Sequence, residues 1–156
     1  MTFCIRAIIC LAAVFVMQST LADDVNSALP PATKLTYTKV TMDASQHSYF
    51  EDGELPFEVK EFAPPSGPIG VSAATATKNL LFTTADKTWA TDWHPTPRRQ
   101  FVVVLAGEIT IEVESGEIRR FKSGDVFLLE DTAGRGHDSR VVSDEPAMFA
   151  MVALPE

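Results

Sequence analysis

The sequence predicts an all-β domain, built as a sandwich or a barrel of short strands. After residue 22, no segment of ten or more residues has the apolar spacing of an amphipathic helix. Short segments rich in β-forming residues recur instead, with glycine or proline between them. Residues 108–114 alternate polar and apolar side chains, which is the period of a strand with one buried face. Together these three observations favour a closed or sandwiched sheet.

The first 22 residues have the three parts of a secretory signal peptide. A start containing Arg6 precedes an apolar stretch of 11 residues, and small residues lead to a cleavage point after Ala22. The apolar stretch is shorter than the ~20 residues that cross a bilayer, although an uncleaved anchor remains the alternative. We therefore predict a signal peptide at 1–22, a flexible polar arm at 23–33 and one domain at 34–156. The expected location is secreted, in a periplasm or an endomembrane compartment.

Composition limits the partners of this domain. The chain carries a formal net charge of −8, and removing the segment with Arg6 makes the remainder more negative. An acidic surface repels phosphate backbones and anionic lipids, so we expect no nucleic acid and no membrane contact after signal removal. Cys4 and Cys10 both lie in the predicted signal peptide. The secreted domain would therefore be held by its apolar core and not by disulfides.

Strand patterns are clear at some positions in the first half of the domain and weak at others. Residues 35–41 and 79–84 are rich in β-forming side chains and predict strands, and residues 57–62 predict a short one that ends before Pro64-Pro65. Residues 42–54 predict a loop carrying His47, and residues 71–77 are ambiguous. Residues 87–97 predict an irregular loop that contains both tryptophans.

The second half of the domain predicts an almost continuous series of strands. Residues 100–105 are all apolar after the first, as expected for a strand buried on both faces. Residues 108–114 follow with 109, 111 and 113 inward, and Ser115-Gly116 is a two-residue hairpin signal. The remaining predicted strands are 117–121, 126–129, 137–143 and 147–154.

Two histidines lie at the edges of this strand-rich block. His94 precedes the first apolar strand, and His137 follows a glycine-rich loop at 132–136. If the intervening strands fold back as a meander, both imidazoles enter one cavity. We therefore expect a shared interior site that contains both rings.

The residues around these histidines resemble the two sequence motifs of the cupin superfamily. In the first motif His94 takes the first histidine place, Thr96 the second, Gln100 the glutamate place and Gly107 the closing glycine. The stretch from His94 to Gln100 also resembles a bacterial and eukaryotic cupin subfamily of poorly defined activity. Two of the four metal-binding places in the superfamily motif are therefore changed.

The second motif opens at Gly124 and closes at His137, after a loop two residues longer than usual. Glu130 stands at the proline place of the motif. The resemblance covers most of the domain and implies a double-stranded β-helix, the jelly-roll barrel of cupins. It does not specify a reaction, because one fold hosts many functions.

The resemblance implies a divalent metal, one of Fe, Mn, Ni, Cu or Zn, held by His94, Gln100 and His137. Gln100 offers only a neutral oxygen, so the metal charge would be poorly compensated in an apolar barrel. Glu130 or Asp131 turned inward, or His47 from the preceding loop, would complete the ligand set. The competing interpretation is a pair of hydrogen-bonded histidines that line an organic-ligand pocket.

Two further residues are candidates for ligand contact. Trp93 would stack on a ligand, and Arg98 would clamp a carboxylate, although core packing and surface ion pairs are the ordinary uses of these residue types.

Two function classes remain open from the sequence, with a third possibility beside them. The first is a metal-dependent dioxygenase, lyase or isomerase that acts on a small molecule. The second is a barrel that binds a small molecule or a sugar without chemistry. An interaction protein that forms a homodimer through the barrel edges is the third.

Overall fold

The computed structural model describes residues 32–156, and this part of the chain is all-β and contains no helix. Short turns and loops connect its eleven strands. The strands are β1 Lys34–Met42, β2 Ser48–Pro56, β3 Glu58–Lys60, β4 Ile69–Val71, β5 Asn79–Ala85, β6 Gln100–Ala106, β7 Glu108–Val113, β8 Ile118–Lys122, β9 Val126–Leu129, β10 His137–Val141 and β11 Ala147–Ala153.

Two sheets build the barrel. One has six strands in the order β2-β1-β9-β6-β11-β5, and the other has three strands in the order β10-β7-β8. Strands β1 and β9 pair in parallel, and the neighbouring pairs of both sheets are otherwise antiparallel. Strands β3 and β4 form a separate two-stranded hairpin. This arrangement confirms the all-β jelly-roll fold that the sequence predicts.

The core lies between the two sheets. Alternate residues of β6, such as Val102 and Val104, point inward and meet Ile109 and Ile111 of β7. All four are buried. Polar and apolar residues alternate in β7 because residues 109, 111 and 113 face the opposite sheet, as the sequence predicts.

The prediction of a loop at residues 42–54 is wrong for its second part, because β2 occupies Ser48–Pro56. This strand is rich in acidic residues and glycine, which have low intrinsic strand propensity. Its partner supplies the stability: β2 pairs with β1 over nine residues, and the Tyr37 ring lies directly over Gly53. Lys39 also donates to Glu51 across the pair at 2.7 Å. Pairing with β1 therefore outweighs the low strand propensity of the β2 residues.

The prediction that β6 is buried on both faces holds for one face only. Its inward residues are buried, whereas Phe101 and Val103 on the outer face are half-buried and Leu105 is 45% exposed. The outer face of the six-stranded sheet is therefore apolar at this strand and partly covered, since the Phe101 ring packs against the Tyr37 ring at a centroid distance of 5.3 Å.

The predicted signal peptide, residues 1–22, lies outside the described residues, as does most of the predicted arm at 23–33. At the end of that arm, the Thr33 carbonyl accepts a hydrogen bond from Phe57 N at 2.8 Å. Within residues 32–156, no helix has the length and apolar character needed to cross a bilayer.

Candidate functional site

A cavity of about 310 Å³ lies inside the barrel, between the two sheets. Most of its wall is apolar, and a few polar groups lie together near residues 94–100. The lining includes apolar side chains from both sheets: Val102, Ile109, Ile111, Phe127, Leu129, Phe149 and Met151. The polar lining residues are Thr83, Thr84, His94, Thr96, Gln100, His137 and Ser139, and Trp89 also contributes to the wall.

The backbone brings the two histidines together directly. His94 and His137 form an isolated antiparallel bridge, in which each amide donates to the carbonyl of the other at 3.1 and 3.0 Å. Their ring centroids lie 4.9 Å apart. Both residues line the cavity, so the structure unites the two imidazoles that are far apart in sequence.

Gly136 makes this bridge possible. It has a φ of 80°, and a Cβ at this position would lie 2.0 Å from the His94 carbonyl oxygen. A side chain here would both strain the backbone and collide with the bridge. Ser48 fixes the other side of the loop, because its hydroxyl donates to the Gly136 carbonyl at 2.6 Å. The missed strand β2 therefore supports the site.

Hydrogen bonds at Nδ1 decide the chemistry of both imidazoles. His94 Nδ1 lies 2.9 Å from the Asp92 carbonyl oxygen, which can only accept, so this nitrogen donates. His137 Nδ1 lies 2.6 Å from Oδ2 of Asp131, and an ionised carboxylate also accepts. In the neutral rings, Nε2 is then the nitrogen with a free lone pair.

Gln100 presents a third lone-pair group to the cavity. Its amide nitrogen donates to the Thr96 hydroxyl at 3.3 Å, and that hydroxyl donates to the Arg98 carbonyl at 3.2 Å. This chain of donors fixes the amide orientation and leaves Oε1 of Gln100 as the free atom. Gln100 is itself buried.

Two other hydroxyls of the cavity are already used as donors. Thr84 donates to the Ala147 carbonyl at 3.2 Å, and Thr83 donates to the Met151 sulfur at 3.6 Å. The polar wall therefore offers the interior mainly lone pairs. Such a wall favours a cation or a ligand that carries O–H or N–H groups.

Asp131 is the residue at this site whose role the sequence did not specify. It is fully buried, and its Oδ1 has no hydrogen-bond partner among the described residues. Strand alternation turns Glu130 outward, where it pairs with Arg99, and turns Asp131 inward. A carboxylate that holds Nδ1 of a histidine is the arrangement that orients metal-binding imidazoles in many proteins.

Other candidate residues lie away from the cavity. Trp93 stacks under the Arg135 guanidinium at 4.0 Å, and Arg98 lines a separate surface groove of about 410 Å³. His47 is exposed and lies 3.8 Å from the Asp43 carboxylate. Neither Trp93 nor Arg98 lines the barrel cavity, whereas Trp89 does. Ligand contact by Trp93 and Arg98 stays a prediction.

The residues fit a divalent metal only in part. Within residues 32–156, no three His, Cys, Asp or Glu side chains converge on one point as a metal site. The available donors are two imidazole nitrogens and the Gln100 oxygen, with the negative charge of Asp131 directly behind His137. These donor atoms suit the later first-row metals, because imidazole is their common ligand.

The described residues therefore form a jelly-roll barrel with a cavity between its two sheets. Residues 81–153 match a family model described as a cupin domain, Cupin_2. This match and the all-β architecture support the cupin superfamily for this part of the chain.

Several solved structures are similar to this chain. The cupin domain of Schizosaccharomyces pombe Cnp3 is 13% identical, with 80% of this chain and 86% of that chain covered and a TM-score of 0.40. KdgF from Halomonas sp. is 20% identical, with coverage of 74% and 95% and a TM-score of 0.32. A Cupin_2 domain of an XRE family transcriptional regulator from Enterobacter cloacae is 15% identical, with coverage of 80% and 100% and a TM-score of 0.30. No curated protein matches the chain.

Proposed function

We propose that this protein is a small-molecule-binding cupin barrel, and that its ligand has an apolar body and a head that donates hydrogen bonds. The observation that carries this proposal is the pair of fixed imidazoles. Both His94 and His137 use Nδ1 as a donor to the protein, so in the neutral rings both Nε2 atoms are acceptors. A ligand that brought only acceptors would leave these lone pairs unpaired, which costs free energy in an apolar cavity.

The cavity volume limits the ligand. A dry cavity of about 150 Å³ holds one benzene molecule, so a space of about 310 Å³ takes roughly twelve non-hydrogen atoms. The apolar walls favour a ring or a short hydrocarbon chain over a bare sugar, whose hydroxyls would face Ile111 and Phe127. One or two hydroxyl or amine groups on such a body match the polar end.

A matched set of probes tests this preference. Benzyl alcohol, benzaldehyde and toluene have similar shapes. Benzyl alcohol has a hydroxyl that can donate a hydrogen bond, benzaldehyde has an oxygen that can only accept one, and toluene has no polar group. We expect benzyl alcohol to bind about tenfold more tightly than benzaldehyde, since one unpaired buried acceptor costs about 1–2 kcal/mol. Isothermal titration calorimetry measures the affinities, and thermal unfolding reports stabilisation by each probe.

Two histidine variants separate the cavity from the surface. His94→Ala should remove most of the preference for benzyl alcohol, whereas His47→Ala should leave it unchanged because His47 is exposed. Equal affinities for benzyl alcohol and benzaldehyde in the wild-type chain would refute the donor-head proposal. Unchanged binding in His94→Ala would place the bound probe elsewhere.

A second candidate function is a metal-dependent enzyme of the dioxygenase, lyase or isomerase type. The Asp131–His137 hydrogen bond favours it, because such a carboxylate raises the basicity of the ligating ring. His94, Gln100 and His137 would hold the ion, and Asp131 would offset part of its charge. A bound divalent ion would supply Lewis acidity for a substrate oxygen.

Metal analysis of chelator-free protein distinguishes the two candidates. The metal-dependent version predicts close to one equivalent of a first-row divalent ion, and a rise in the melting temperature when Zn²⁺ or Ni²⁺ is added after chelation. Asp131→Asn should then weaken the metal about 10- to 100-fold. Well under one equivalent, with no change in melting temperature, would reject this version and leave the binding barrel.

We also propose two features that the sequence predicts. The first is membership of the cupin subfamily that the stretches around His94 and His137 resemble. The second is export, with cleavage after Ala22. Intact-mass measurement of the protein secreted by an expressing host tests export, since a mature chain would begin at Asp23.

A further inference from the structure

A second concave site, a groove of about 410 Å³, lies at the end of the six-stranded sheet, where β5 and β6 begin and β11 ends. Two backbone hydrogen bonds extend the sheet by one row at this end. The Lys78 amide donates to the Ala153 carbonyl at 2.8 Å, and the Leu154 amide donates to the Arg99 carbonyl at 2.9 Å. The groove, called here the end groove, is lined by Lys78, Pro97, Arg98, Arg99, Thr132, Leu154, Pro155 and Glu156.

Three positively charged side chains line the end groove, although the chain as a whole has a formal net charge of −8. Most Lys and Arg side chains in residues 32–156 form an ion pair with an acid. Arg99 is one of these, since its Nε donates to Glu130 at 2.9 Å. Arg98 and Lys78 form no such pair within the described part of the chain. Two unpaired cations at one groove repel each other, so an anion between them would be attracted by both.

The rest of the wall is apolar or neutral, apart from one acid. Leu154 is only 8% exposed, and Pro97 and Pro155 add rigid apolar surface. The acid is Glu156, which forms no ion pair with the groove cations. An arginine guanidinium presents a planar set of N–H groups that matches the two oxygens of a carboxylate. The end groove therefore combines recognition of a carboxylate with a surface for a short hydrocarbon chain.

We propose that the end groove binds a small monocarboxylate with a short hydrocarbon chain. Arg98 and Lys78 contact the carboxylate, and Leu154 with the two prolines contacts the chain. The sequence predicts carboxylate contact by Arg98, and this site is where that contact would occur.

The end groove is separate from the barrel cavity. Pro97 lines both, but Lys78 and Arg98 line only the end groove, and His94 lines only the cavity. The groove offers donors and positive charge, whereas the polar wall of the cavity offers mainly lone pairs. This inference is therefore independent of what the barrel cavity binds.

Isothermal titration calorimetry of the protein with sodium hexanoate tests the proposal. Acetate and inorganic phosphate are the comparison ligands, because both carry negative charge without a hydrocarbon chain. We expect hexanoate to bind at least about fivefold more tightly than either, because its chain buries apolar surface against Leu154. Binding should weaken as NaCl is added, since salt screens exposed charges.

Charge-removing variants place the bound hexanoate. Arg98→Gln and Lys78→Gln should each raise its dissociation constant at least about fivefold, since each removes one charged donor. Both side chains are exposed, so neither change should unfold the barrel, and thermal unfolding checks this. Lys87→Gln is the matched control, because Lys87 is exposed and lines neither site. Lys78→Gln should also leave the affinity for benzyl alcohol unchanged.

Three results would overturn the proposal. The first is hexanoate that does not bind, or that binds no more tightly than acetate or phosphate. The second is hexanoate binding that neither Arg98→Gln nor Lys78→Gln weakens, or that Lys87→Gln weakens as strongly. The third is hexanoate binding that is lost in His94→Ala, which would place the ligand in the barrel cavity. Weaker binding in the two end-groove variants alone supports the proposal.

Discussion

The two faces of β6 and β11 have nearly the same apolar composition but different surroundings. On the inner face, Val102 and Met151 line the cavity opposite the three-stranded sheet. On the outer face, Val103 and Val152 lie on neighbouring strands and are half-buried, and Leu105 is 45% exposed. The same kind of side chain therefore lines a cavity on one face and a partly exposed surface on the other.

Polar groups mark the difference between the faces. Gln100 is the only polar residue of β6, and it points inward, where its amide is fixed by Thr96. The outer positions of β6 have no polar group. The cavity offers a ligand a few oriented lone pairs, whereas the outer positions of β6 offer only apolar contact. Four predictions test this contrast between the faces.

The largest effect is expected at the inner site, for Gly136→Ala. A Cβ there would meet the His94 carbonyl at 2.0 Å in a backbone with φ of 80°. We expect a loss of about 3 kcal/mol or more in the free energy of unfolding, measured with urea. Gly116→Ala is the control: its φ is 83° but no atom lies within 4 Å, so only about 1 kcal/mol should be lost. Equal losses would mean that the contact with His94 is unimportant.

The next largest difference in unfolding free energy is expected between variants of two adjacent β6 residues that face opposite sides of the sheet. Val104 is 1% exposed on the inner face, and Leu105 is 45% exposed on the outer face. Val104→Ala should lose about 2 kcal/mol because it leaves a cavity, while Leu105→Ala should lose under about 1 kcal/mol in dilute protein. Denaturant titration gives both values. A larger loss for Leu105→Ala would indicate that other residues of the chain pack on the outer face of β6.

A smaller difference in stability is expected between variants of two neighbouring acidic residues, Asp131 and Glu130, whose side chains point in opposite directions. Asp131 is buried against His137, and Glu130 pairs with Arg99 at the surface. Asp131→Asn should lose about 1–3 kcal/mol, since a charge-assisted buried bond is weakened. Glu130→Gln should lose about 0.5 kcal/mol or less. If chemical unfolding gave similar values for both variants, Asp131 would have no special role in orienting His137.

The smallest effect on stability is expected for the ion pair between Lys39 of β1 and Glu51 of β2. The hydrogen bond to Glu51 raises the pKa of the Lys39 ammonium above its ordinary value. A raised pKa contributes stability that is fully present below the unfolded pKa of about 10.4 and is lost as the pH rises through the folded value. Lys39→Gln should therefore lose about 0.5 kcal/mol or less at pH 7, and the difference from wild type should shrink above pH 10. A constant difference across this range would contradict the assignment.

Much of the fold could be predicted from local patterns. The alternation in β7 and the Ser115-Gly116 turn identified a hairpin, and the structure has β7 and β8 there. Strand β2 could not be predicted, because its acidic residues and Gly53 favour a loop until β1 is placed beside them. The role of Asp131 was missed for a similar reason. Alternation beyond Leu129 points residue 131 inward, but it does not identify His137 as the partner of the Asp131 carboxylate.

The sequence by itself determined the strand periods, the turn positions and the candidate histidines, because these depend on spacing along the chain. Only the tertiary structure decided that His137 is the partner of Asp131, that Nε2 is the free nitrogen of both neutral rings, and that the outer face of β6 is only partly buried. These features depend on which group lies across from which in space. Hydrogen-bond partners and burial are properties of pairs of residues distant in sequence, and no local pattern specifies them.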